Sequence, residues 1–166
     1  MTRTTALGSR QAALYAAEAE AIDGLGVRWS RGADVQAYVD GLLESAWFFE
    51  RWPHFLCCTV ERRGSGARWS TCHALDDSGP GGSATEGVLL LASLTQPVVL
   101  HELAHLLVPP GAGHGPAYAE TLLTLVRHEM GFPAFAALYA ALRRHEGFGE
   151  IREGVPPVPD TMARAN

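Results

Sequence analysis

The residues His101-Glu102-Leu103-Ala104-His105 form an H-E-x-x-H motif, and His114-Gly115 follows nine residues after His105. On a helix, positions i and i+4 lie on the same face, so the two outer histidines can present ring nitrogens to one metal ion. Glu102 lies at the edge of that face, where its carboxylate can reach a water molecule held by the ion. The motif therefore predicts a helix that carries two metal ligands and a general base.

The sequence on both sides of the motif predicts an α+β fold. A block of β-favouring runs separates segments in which apolar residues recur at helical spacing. The expected helices span 9–22, 34–49, 97–108, about 114–130 and 133–144, and the expected strands span 55–61, 68–75 and 88–92. We expect the first two strands to form a hairpin, within a small antiparallel or mixed sheet that packs with the motif helix and flanking helices. One domain at 1–148 is then followed by an irregular tail at 149–166.

A third metal ligand is expected just after the motif helix. Pro109-Pro110-Gly111 ends that helix and turns the chain back, which favours His114. Glu120 is the alternative, although a helix that begins at His114 rotates Glu120 well away from the site. On the same helix, Tyr118 and His128 share the face of His114, and either is a candidate to support the site or to donate a hydrogen bond to the transition-state oxyanion.

Composition excludes several classes of protein. The chain has 166 residues, a net charge of −5 and three cysteines. The acidic balance argues against a nucleic-acid partner, and three cysteines without C-x-x-C spacing argue against a disulfide framework. Neither a signal peptide nor an apolar run of about 18 residues is present, so we expect a cytoplasmic protein with no membrane partner. The oligomeric state stays open.

The segments HELAHLL at 101–107 and HGPAY at 114–118 resemble the H-E-x-x-H…H-[GS]-x-x-[FYW] core of the SprT-like, WLM and YgjP-like zinc metallopeptidases. They are more similar still to small metallohydrolases of actinobacteria and their phages. The resemblance implies a zincin-like fold and a Zn²⁺ ion bound by His101, His105 and His114. It also implies that Glu102 is the catalytic base and that Tyr118 packs beside the site. Many SprT-type repair proteases carry a C-terminal zinc ribbon, and no pair of C-x-x-C sequences occurs here.

Together, the motif and the resemblance predict a zinc metallopeptidase that cleaves a peptide or protein substrate with an activated water and Glu102 as general base. By resemblance, the substrate is expected to add as a strand along the segment 86–92. One alternative is a metal-stabilised binding protein that catalyses nothing. Another is a DNA-associated repair protease, which the acidic charge and the missing zinc ribbon disfavour. If the protein is an enzyme, Glu102→Ala is expected to lose activity while zinc stays bound. A metal-stabilised binding protein has no activity to lose.

Overall fold

The structure is a computed structural model that describes residues 3–145, with side chains described from residue 10 onward. In this part of the chain it contains six α-helices and three strands, a mixed α and β composition that confirms the expected class. In chain order they are α1 (Arg3–Ala21), α2 (Gly32–Leu43), α3 (Ala46–Arg51), β1 (Cys57–Arg62), β2 (Thr71–Ala74), β3 (Glu86–Leu91), α4 (Gln96–Leu106), α5 (Pro116–Glu129) and α6 (Phe132–Arg144). The expected tail at 149–166 lies outside the described residues.

The second expected helix, 34–49, is divided into α2 and α3. The break falls at Ser45, whose backbone is extended at φ −67° and ψ 140°. The Ser45 hydroxyl donates a hydrogen bond of 2.6 Å to the carbonyl of Leu42, at the end of α2. Serine competes in this way with the helical backbone pattern, and the chain restarts as a short helix that buries Phe48.

The expected hairpin between the first two strands is wrong. The strand order is β1-β3-β2, in which β1 runs parallel to β3 and β2 runs antiparallel to it. The central strand contains Leu89 and Leu91, both fully buried. Because a central strand is covered on both edges, the most apolar of the three strands takes that position. The segment 86–92, expected to be a substrate-binding edge, is thus the centre of the sheet.

The two edges of the sheet differ in what covers them. Gln36 of α2 satisfies the outer edge of β1, since its side chain donates to the carbonyl of Cys58 at 2.9 Å and accepts from the amide of Val60 at 2.7 Å. The partner of β2 within the sheet is β3, on one side only. The outer edge of β2 is therefore the edge that can pair with another chain.

Helix α4 packs closely across the sheet. Gly87 of β3 makes this approach possible, because a Cβ atom there would lie 2.5 Å from Cδ1 of Leu106. Val99, Leu100 and Leu103 of α4 are fully buried in the core. Helix α5 packs on α4 and α6, and α1 packs on α6. None of the described helices has both the length and the apolar character that a bilayer crossing requires.

Candidate metal centre

Helix α4 places the first two histidines of the motif. Pro97 lies in its first turn, where the missing backbone N–H costs least. The helix buries one face in the core, so that His101 is only 7% exposed and His105 is half-buried. Their ring centroids lie 5.2 Å apart. The one-turn spacing of the motif therefore brings both rings together at a site on the border of the core.

The third histidine comes from the turn between α4 and α5. Gly111 and Gly113 have φ values of 83° and 53°, a left-handed region in which glycine is favoured. This turn places Nε2 of His114 at 3.1 Å from Nε2 of His105. One ring nitrogen from each of the three histidines lies within 4.8 Å of the others. Glu120 is not a member of this group, which is the one potential metal-binding cluster found among the described residues.

The geometry and protonation of the cluster suit a metal ion. Two nitrogens bound tetrahedrally to one zinc ion at about 2.0–2.1 Å lie about 3.3 Å apart, close to the separation between His105 and His114. Burial lowers the pKa of His105 to about 3 and that of His114 to about 4, and the charge of nearby His101 acts in the same direction. At neutral pH both rings are therefore uncharged and offer lone pairs, the form in which histidine binds metals.

His101 is oriented by an acidic residue from the far end of the sequence. Its Nδ1 lies 2.8 Å and 3.0 Å from the two carboxylate oxygens of Glu18 on α1. Burial lowers the pKa of His101, but the hydrogen bond and charge of Glu18 outweigh it and the net pKa is raised. A proton held on Nδ1 leaves the lone pair of Nε2 for a metal. Sequence reasoning missed Glu18, because its partner lies 83 residues away.

Glu102 lies on α4 next to His101, and both line the same cleft. Its side chain is buried, and this burial raises the pKa of its carboxyl group. The thiol of Cys72, on β2, forms a hydrogen bond with the Glu102 carboxylate, which acts against that rise. A raised pKa brings a carboxylate closer to the operating pH of a general base.

Tyr118 and Tyr15 enclose the histidines from two sides. Tyr118 is fully buried, its ring centroid is 4.3 Å from that of His105, and its hydroxyl donates a hydrogen bond of 3.0 Å to the carbonyl of His101. The expected position of Tyr118 beside the site agrees with the structure, and its hydroxyl is committed to the backbone of α4. Tyr15 of α1 stacks on His101 with centroids 5.4 Å apart and an interplanar angle of 19°.

The structure places His128, one of the candidates to support the site, in contact with α3. Its ring stacks on Trp47, with centroids 4.0 Å apart and an interplanar angle of 4°. Ten residues separate it from Tyr118 along α5, which corresponds to about 15 Å of helix. The helix begins at Pro116, so His114 is not part of it, and His128 is exposed whereas Tyr118 is fully buried.

No family model, curated protein or solved structure matches this chain. The similarity of the segments 101–107 and 114–118 to zinc metallopeptidases therefore stays a prediction from the motif. What the geometry establishes is a cluster of three histidines that can hold a metal ion, bordered by two carboxylates and two tyrosines.

Proposed function

We propose that this protein is a zinc-dependent hydrolase of the zincin type that cleaves peptide bonds. The observation that carries the proposal is the convergence of three imidazoles, with ligand atoms within 4.8 Å of one another, beside the buried carboxylate of Glu102. The packing of α4 against a small mixed sheet supports the zincin-like arrangement.

Three neutral nitrogen donors favour zinc. In the proposed site, His101, His105 and His114 hold the ion, and a set of three protein ligands leaves a position for water or substrate. When bound, zinc would polarise a carbonyl group and lower the pKa of water to about 7. Glu18 keeps His101 in the tautomer that can bind, and Tyr118 fixes the backbone of α4 beneath it.

In the proposed reaction, Glu102 is the residue that moves the proton. Its carboxylate accepts a proton from the attacking water and delivers it to the amide nitrogen that leaves. Burial disfavours the charged form of this carboxylate, and a zinc ion beside it would act in the opposite direction on its pKa. The Cys72 thiol on β2 interacts with this carboxylate and lowers its pKa.

The outer edge of β2 is the proposed binding strand for substrate. Gln36 occupies the outer edge of β1, and β3 lies in the centre of the sheet. Only β2 combines an edge position with contact to α4 among the described strands. An extended peptide can add there through main-chain hydrogen bonds, which recognise the backbone of a substrate rather than one particular sequence.

A test begins with the zinc content of the purified full chain and a screen for cleavage of a peptide library. We expect one zinc ion per chain and hydrolysis that a chelator abolishes and added zinc restores. Glu102→Ala is expected to reduce turnover at least about a hundredfold while one zinc ion stays bound. A zinc-loaded protein that cleaves no peptide would instead support the metal-stabilised binding protein, and unchanged turnover in Glu102→Ala would exclude Glu102 as the base.

A further inference from the structure

A cleft of about 620 Å³ opens beside the histidine cluster. Its walls come from α1, from the first turns of α4 and from the segment that leads into β2. His101 and Glu102 are among its lining residues, and Tyr15, Trp69 and Val98 contribute apolar surface. A volume in this range is typical of sites that enclose a small molecule or a part of a larger one.

Two exposed aromatic residues line this cleft from opposite sides. Trp69 precedes β2 and is 71% exposed, the highest value among the large hydrophobic residues of the described chain. Tyr15 of α1 is 42% exposed although its ring also stacks on His101. Exposed aromatic side chains that line a concave surface are typical of binding sites, because they gain burial when a ligand enters.

The charged side chains that line this cleft do not favour either a positively or a negatively charged ligand. The carboxylate of Glu18 is engaged by His101. Of the other charged residues that line the cleft, Arg68 and Asp23 have opposite signs, and Glu102 is buried next to the cluster. The surface left to select a ligand is the apolar one.

We infer that the cleft binds a large apolar side chain, aromatic or branched aliphatic, of the substrate residue next to the bond that is cleaved. This inference rests on the proposed hydrolase function. The cleft reaches both His101 and Glu102, and Thr71, the first residue of β2, lies on its wall. A peptide bound along β2 therefore passes the cleft beside the residues proposed to act on it.

The experiment measures the affinity of the zinc-loaded full chain for acyl-amino hydroxamates that differ only in one side chain: glycine, valine, leucine or phenylalanine. We expect the leucine and phenylalanine compounds to bind at least about tenfold more tightly than the glycine compound, because each buries an apolar side chain. Trp69→Ala is expected to reduce this preference, with a larger loss of affinity for the leucine and phenylalanine compounds than for the glycine compound. Phe49→Ala is the matched control, since Phe49 is 61% exposed on α3 and does not line the cleft.

Equal affinities across the series, or equal losses for all four compounds in Trp69→Ala, would overturn the inference. The absence of hydroxamate binding to protein with one zinc ion would overturn it as well. A side-chain preference without hydrolysis of any peptide leaves the cleft assignment in place and refutes the proposed reaction. Hydrolysis that depends on Glu102 but shows no side-chain preference refutes the cleft assignment alone.

Discussion

Helix α4 carries two buried polar clusters that differ in how their atoms are paired. At its first residue, the Gln96 amide donates to the Tyr38 hydroxyl at 3.2 Å and to the carbonyl of Glu129 at 3.1 Å. Its oxygen accepts from the amide of Val27 at 3.2 Å, and the Tyr38 hydroxyl donates to the Glu129 carboxylate at 2.8 Å. In this glutamine cluster, every donor named here meets an acceptor.

The histidine cluster is built differently. Nε2 of His105 and Nε2 of His114 face each other at 3.1 Å, and the lowered pKa values of both rings leave at most one proton on each. The two nitrogens lie at hydrogen-bond distance, so one ring can donate from Nε2 to the other when no ion is bound, whereas a metal ion between them would accept both lone pairs. The comparison separates a polar cluster joined by hydrogen bonds from a cluster of three histidines that can hold a metal ion.

The largest effect is expected from His114→Ala. Removal of one of three ligands should weaken zinc binding by more than about a hundredfold, beyond the loss typical of a changed outer-shell partner. The matched control is Glu120→Ala on the neighbouring helix, which should keep zinc affinity within about twofold, since Glu120 is outside the cluster. Competition with a fluorescent zinc chelator measures the zinc affinity of both variants. The opposite result, with zinc lost in Glu120→Ala and retained in His114→Ala, would reverse the ligand assignment.

Gln96→Leu tests the other side of the comparison. The substitution leaves the amide of Val27 without its side-chain acceptor, so we expect a loss of about 2 kcal/mol in the free energy of unfolding. Zinc affinity should change by less than about threefold, because no atom of Gln96 belongs to the histidine cluster. Urea denaturation of the metal-free protein measures the stability. A stable variant with impaired zinc binding would show that the two clusters are not separate.

Glu18→Gln tests whether the charge of Glu18 contributes to zinc binding by His101. The variant can still accept a hydrogen bond from Nδ1 of His101 but carries no charge, and we expect zinc affinity to fall about tenfold. Glu20→Gln is the control on the same helix, where Glu20 forms an exposed ion pair with Arg144. Isothermal titration calorimetry with zinc measures the affinity of each variant. Equal affinities in the two variants would mean that Glu18 does not orient His101.

The smallest effect is expected from a partly buried polar cluster at Asp76. The amide of Thr85 donates to its carboxylate at 2.8 Å, and the hydrogen bonds of Thr85 lower the pKa of Asp76 from its ordinary value of 3.8. A lowered folded-state pKa stabilises the fold above the unfolded value, and this stabilisation disappears as the pH falls through the folded value. The stability difference between the native protein and Asp76→Asn should therefore shrink below about pH 4. A constant difference from pH 7 to pH 3 would contradict this assignment, and thermal unfolding across that range measures it.

Local signals predicted much of the site. The i, i+4 spacing of His101 and His105 needs only a helix, and the Pro109-Pro110-Gly111 break was sufficient to favour His114 over Glu120. The bounds of α4, α5 and α6 followed from proline and glycine positions to within about two residues, whereas the break between α2 and α3 did not. These features depend on residues within one or two turns of each other, where sequence spacing determines spatial position.

Long-range pairings could not be predicted. β1 pairs in parallel with β3, 29 positions further along the chain, and no turn signal in the sequence marks such a pairing. Glu18 lies in an alanine-rich helix, and only the packing of α1 brings its carboxylate to His101. The same packing brings Tyr15 to the cleft that Trp69 lines from the other side. Each of these relations depends on tertiary contacts that the periodicity of a single segment does not encode.

The packing of α1 against α6 has a consequence for synthesis of the chain. A ribosome releases α1 first, but the helix on which it docks leaves the exit tunnel after α4 and α5 have emerged. His101, His105 and His114 are thus available during translation, while Glu18 and Tyr15 reach their places only once α6 has appeared. Until α6 has been synthesised, the nascent polypeptide therefore lacks the contacts of Glu18 and Tyr15 with His101.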